Sequence, residues 1–192
     1  MKYKKFILFL VGFVLVYFAH TIINNFFIQI ITNIGGTSAD MGNAVFVAAM
    51  LELPTMAFFS KMSEKINCGT LIKFSILMFC VKHALTYFAT NMIMIYLAQV
   101  CQMFAYALFI PASVYYVNEK IALADRVKGQ SLVTTSMTLS GVFANFAGGI
   151  MLDALGVGHV LLAGIILSIV GAVIVILTTE KFKRLNIEPL FL

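Results

Sequence analysis

The chemistry of this chain is read first from Glu52. It sits in Gly42 to Met62, GNAVFVAAMLELPTMAFFSKM, an apolar segment long enough to cross a bilayer, with one carboxylate near its middle. An acid at that depth costs about 2.5 to 3.5 kcal/mol on insertion scales, so it is expected to be paired or used. Lys82 lies near the centre of another apolar run and is expected at comparable depth on an adjacent helix of opposite direction, where each charge could satisfy the other. Two readings stay open. The pair could only fix helix packing, or the carboxylate could take up a proton or grip a polar solute while Lys82 tunes it.

Polar residues gather at the same depth on other segments. Tyr17, His20 and Asn24 recur at helical spacing and so share one face, with Asn25 and Gln29 as a second pair beside it. Gln99, Gln102 and Tyr106 repeat the spacing, and Ser136, Ser140 and Asn145 add hydroxyls and an amide. None of these is a catalytic set. Together they describe a polar interior suited to hydrogen-bonding a neutral polar solute, although each residue taken alone is more often a satisfied core residue. His83 follows Lys82 and points to a different side, and His159 sits at a helix end; both are read as structural.

Cys68, Cys80 and Cys101 are scattered and odd in number, so they read as free thiols. No Gly-rich phosphate loop or HExxH metal pair occurs, and no cofactor or metal is called for. The one enzyme alternative is an intramembrane serine hydrolase built on Ser140-Gly141 and His159. It lacks a glycine motif before the serine and a second polar partner, so the chain is read as a non-enzyme.

The elements that position these residues follow from composition. Hydrophobic residues make up 61% of the 192 and charged residues 11%, with a mean hydropathy of +1.00. The chain is therefore an integral membrane protein. Long apolar runs, rather than alternating strands, argue for an all-α bundle of six spanning helices and against a β-barrel. The expected spans are residues 6–31, 42–59, 71–89, 92–117, 129–152 and 160–178, forming one domain over 1–192. The basic start and apolar core of the amino terminus resemble a secretory signal, but no small-residue cleavage site follows and the apolar pattern runs on through Ile31. It is read as the first span.

Every Lys and Arg except Lys82 falls on alternate connections: Lys2, Lys4 and Lys5; Lys61, Lys65 and Lys73; Lys120, Arg126 and Lys128; Lys181, Lys183 and Arg184. The opposite side carries only Asp40 and Asp153. Positive connections stay cytoplasmic, so both termini are expected there, and the net charge of +5 reflects topology rather than nucleic-acid binding. Pro54 and Pro111 are expected to kink their helices. Gly164, Ser168 and Ala172, like Ala144 and Gly148, have the four-residue spacing that lets membrane helices pack closely.

Four stretches carry a resemblance that covers nearly the whole chain. AAMLELPTMAFF, with Met50, Glu52 and Leu53, resembles a helix-eight segment of the lactose permease branch of the major facilitator superfamily, where the acid binds sugar. Asn25-Phe26-Phe27 is similar to a helix-seven triplet. SKMSEKINCGTLI, Ser60 to Ile72, resembles the superfamily's cytoplasmic loop signature, with Glu64 and Lys65 in the acid-base positions and Asn67 where glycine is usual. GGIMLDALG, Gly148 to Gly156, resembles the closing motif of helix eleven. The chain thus looks like the carboxy-terminal six-helix half of such a transporter, within the branch of oligosaccharide, nucleoside and phenylpropionate permeases.

The resemblance implies two inverted three-helix repeats, in a bacterial inner membrane, with solute bound between two six-helix halves. The second half would be a separate chain or another copy of this one. It implies secondary transport of a small polar solute, sugars or oligosaccharides first and nucleosides or aromatic acids next, coupled to protons. Glu52 would be the main ligand and Lys82 its partner, while Tyr17, His20, Asn24, Gln99, Gln102, Tyr106 and Asn145 would be cavity contacts. Lys82 falls where the branch has an arginine, but Gln102 and Ala105 fall where it has the histidine and acid of its proton site, so coupling would pass to Glu52, His20 or a residue outside these 192, or else the relative is a uniporter or an exporter. The alternative is a non-transporting subunit or a truncated fragment.

Overall fold

Backbone groups in hydrocarbon must be satisfied within their own segment, and each long apolar run accordingly becomes a helix. The computed structural model describes residues 3–179, so Lys2, Lys181, Lys183 and Arg184 of the charge pattern lie outside the described residues. The helices are α1 (Lys4–Asn25), α2 (Phe27–Asn33), α3 (Ser38–Lys65), α4 (Cys68–Tyr87), α5 (Met92–Lys120), α6 (Arg126–Leu155) and α7 (Val157–Thr178). A 3-10 turn, Leu123–Asp125, leads into α6. Six helices are long and apolar enough to span a membrane, and among the described residues there is no strand.

The edges of the spans are set by caps. The first run bends at Phe26, yet Phe26 N–H still reaches the Ile22 carbonyl at 3.0 Å and Ile30 N–H the Phe26 carbonyl at 3.1 Å, so α1 and α2 form one span in two pieces. Thr37 and Asp40 close a capping box that starts α3 at Ser38, before the expected Gly42. At its other end α3 continues to Lys65, because SKMSEK holds no Gly or Pro to stop it. Ser60, Glu64 and Lys65, expected in a loop, are therefore helical. Asn67 ends the short connection, its Oδ1 accepting the Gly69 N–H at 2.9 Å to cap α4. Gly156, at φ +79°, joins α6 directly to α7. α3 and α5 run through Pro54 and Pro111 as single helices.

The packing order is symmetric. α1 packs on α6 and α7, α5 packs on α3 and α4, and α4 packs on α7. Exchanging α1, α3 and α4 for α5, α6 and α7 maps this pattern onto itself: α1–α7 becomes α5–α4, α1–α6 becomes α5–α3, and α4–α7 is unchanged. Successive spans alternate in direction, so α1 and α5 run oppositely and the two three-helix repeats are inverted. Between α1, α4 and α5 lies an aromatic core of Phe9, Phe13, Phe79, Phe109 and Tyr116. Its tightest pair is Phe13 stacked on Phe109 at 4.3 Å.

The helices equivalent by this symmetry, α3 and α6, are the least buried spans. They expose Phe46, Met50 and Leu53, and Phe143, Phe146 and Ile150. The expected small-residue stripe on α7 divides between neighbours. Gly164 faces Ala19 of α1, while the Ser168 hydroxyl turns to His83 of α4. α1 and α7 also meet outside that stripe: a Cβ on Gly12 would lie 2.8 Å from the Gly171 carbonyl oxygen.

Candidate functional site

A cavity of about 300 Å³ opens between the α1–α2 bend, α3 and α5. Its lining is Asn24, Phe27, Val45, Ala48, Ala49, Glu52, Gln99 and Gln102. Val45, Ala48, Ala49 and Glu52 occupy successive turns of one α3 face, and the two alanines leave the space that the larger side chains border. Gln99 and Gln102 stand one turn apart on α5. The bend at Phe26 brings Asn24, at the end of α1, and Phe27, at the start of α2, onto the same wall.

Glu52 is half-buried on this wall and forms no ion pair among the described residues. The expected Glu52–Lys82 partnership is made at longer range: the two form no salt bridge, yet the Glu52 charge acts on Lys82. α5 packs against both α3 and α4 and brings the Gln102 amide to Lys82. Lys82, fully buried, donates from Nζ to the Gln102 Oε1 at 2.5 Å. It acts on the cavity through that amide rather than lining it. The sequence reading expected only the carboxylate near Lys82; its direct contact is the Gln102 amide of α5.

His20 also lies behind the wall. Its ring is 2% exposed, stacked on Tyr106 at 5.4 Å, tilted against Tyr17 at 5.3 Å and edge-on to Phe79 at 5.0 Å. Its Nε2 is 2.9 Å from the Asn24 Nδ2, and its Nδ1 has no partner. Tyr17, His20 and Tyr106 thus form a support for Asn24, not part of the lining. Asn145 is elsewhere: its Oδ1 accepts from the Asn25 Nδ2 at 2.7 Å, tying α6 to α1.

Other polar groups are held locally. The Ser140 hydroxyl donates to the Val14 carbonyl at 2.6 Å, and the His159 ring sits 2.8 Å from the Leu155 carbonyl. The serine-hydrolase pair is therefore not assembled. The cysteines are free, and among the described residues no cluster of His, Cys, Asp or Glu could hold a metal.

The sequence reading missed Phe27, Val45, Ala48 and Ala49 as lining. The turn-by-turn spacing of the last three from Glu52 was the available signal. It also missed Phe79, which closes the box around His20. The arrangement holds no nucleophile beside a base; it offers one carboxylate and three amides to a small polar guest.

Residues 9–191 match the family model for the Major Facilitator Superfamily. No curated protein matches the chain.

Proposed function

The chain belongs to the major facilitator superfamily, and we propose that it carries a small polar organic solute by alternating access between its own six-helix bundle and a second one. It is a multi-pass integral membrane protein whose helices fit half of such a transporter. We place it in the lactose permease-like branch as a carboxy-terminal half, in a bacterial inner membrane with cytoplasmic termini. Sugars or oligosaccharides are the favoured cargo, with nucleosides or aromatic acids next and protons as the coupling ion.

The observation that carries this reading is the Glu52 carboxylate, held by no direct salt bridge, facing Asn24, Gln99 and Gln102 across about 300 Å³. That volume is at the low end of small-ligand sites, which run from about 300 to 1,000 Å³. An ionisable group at that depth in a membrane protein marks a solute or proton path. The exposed apolar faces of α3 and α6 supply surface against which a second bundle would close.

The test is Glu52→Gln in cells supplied with labelled disaccharide, nucleoside or phenylpropionate. Uptake should fall to background while the amount of protein in the membrane stays unchanged; retained uptake would sink the assignment. A subunit that only packs would tolerate Glu52→Gln, and would equally tolerate joint replacement of Glu52 and Lys82 by apolar residues.

A further inference from the structure

The amides on the cavity wall are not free to turn. An ammonium group has donors only, so the Gln102 Oε1 must face Lys82, and its NH₂ is directed the other way. Asn24 turns its Nδ2 to His20, and in that orientation the amide donates, the ring Nε2 accepts and the ring proton sits on Nδ1. That leaves the Asn24 carbonyl oxygen for the cavity. The Nδ1 position is sealed among Tyr17, Phe79 and Tyr106 with no hydrogen-bond partner. A proton on Nε2 instead would reverse the Asn24 amide and present its NH₂.

We infer that His20 and Lys82 are positioning residues that set, from behind the wall, the hydrogen-bond polarity the cavity offers: an acceptor at Asn24 and a donor at Gln102. This rests on the solute-binding reading of the same cavity. With Glu52 as a second acceptor, the matching guest must donate toward Asn24 and Glu52 and accept from Gln102. Neighbouring hydroxyls on a sugar or ribose ring do both. A bare carboxylate meets two acceptors, which ranks aromatic acids below polyols among the cargo classes. Gln99 makes no hydrogen bond among the described residues and can serve either kind of group.

The ring proton is tested without any solute. Nitrogen-15 spectra of the histidine-labelled chain in lipid nanodiscs, with the His20 signals assigned by their loss in His20→Phe, should show a protonated Nδ1 and a bare Nε2. In Asn24→Leu the two tautomers should mix. A protonated Nε2 in the wild type overturns the inference and leaves the transport reading standing. Conversely, an intact Nδ1–H form with no uptake of any cargo counts against transport alone. The second arm reads the binding of methyl glucoside and of phenylpropionate by saturation-transfer NMR. Lys82→Met should shrink the preference for the glucoside about tenfold, the worth of one fixed hydrogen bond, and Lys82→Arg should keep it. A preference unchanged in Lys82→Met overturns the role of Lys82.

Discussion

The seam between α1 and α7 and the seam between α4 and α5 occupy equivalent places in the inverted repeat, yet they are built from opposite chemistry. The first brings two backbones together through Gly12 and Gly171, with Gly164 against Ala19. The second is spaced by rings, Phe79 with Phe109 at 6.3 Å and Phe74 with Phe104 at 5.9 Å, and is joined by Lys82 and Gln102. Close packing leaves little that can rearrange. A polar link can be re-aimed by moving one amide, and it is this seam that borders the cavity. The symmetry of the fold thus constrains where helices lie, not which of them do the work.

The sharpest way to break the comparison is to force the two seams toward the same spacing. In Gly171→Leu the new Cβ overlaps the Gly12 carbonyl oxygen and would lie 2.9 Å from the Val16 side chain. Backbone cannot step aside as a side chain can, so the cost should reach at least about 3 kcal/mol. Little monodisperse protein should then be recovered in detergent. Gly42→Leu, where a Cβ meets nothing within 4 Å, should be recovered at the wild-type level. Normal recovery of Gly171→Leu would mean that the α1–α7 seam is loose.

Next in size is Gln102→Leu, which leaves the Lys82 ammonium buried with no acceptor. Losing the acceptor of a buried charged donor costs about 1.5 to 3 kcal/mol, whereas replacing both partners by apolar groups is often neutral. Thermal unfolding should therefore show a large loss in Gln102→Leu and recovery of most of it when Lys82→Met is added. Uptake should stay low in both, because the cavity has lost its donor. Recovery of uptake along with stability would show that the polar seam is only packing.

How much of this was legible in the sequence depends on the range of the argument. Glu52, Gln99 and Gln102 were found because a charge or amide in an apolar run stands out, and the structure brings them to one cavity with Asn24. The length of the runs and their alternating basic connections marked all six spans. The hydrogen-bond partner of Lys82 was not legible, since it depends on which α5 side chain packs against α4, and no local pattern encodes that. Asn145 had the same kind of spacing as Gln102 but faces Asn25, because helical period fixes a face without saying which neighbour covers it. The length of α3 was legible in hindsight: nothing between Ser60 and Lys65 breaks a helix.

The smallest effect tests how far the polar wall extends. Lys82 and His83 are consecutive on α4, so their side chains diverge, one toward α5 and the other toward the Ser168 hydroxyl on α7. In Ser168→Ala the His83 Nδ1 loses its partner while its Nε2 already has none, and the loss should be about 1 kcal/mol. Adding His83→Phe should restore part of it, because no buried polar group is then left unpaired. Uptake and cargo preference should match wild type in both variants, since neither residue lines the cavity. A changed preference in Ser168→Ala would show that the α4–α7 contact also sets the cavity's polarity, and the division between a structural and a functional side of α4 would fail.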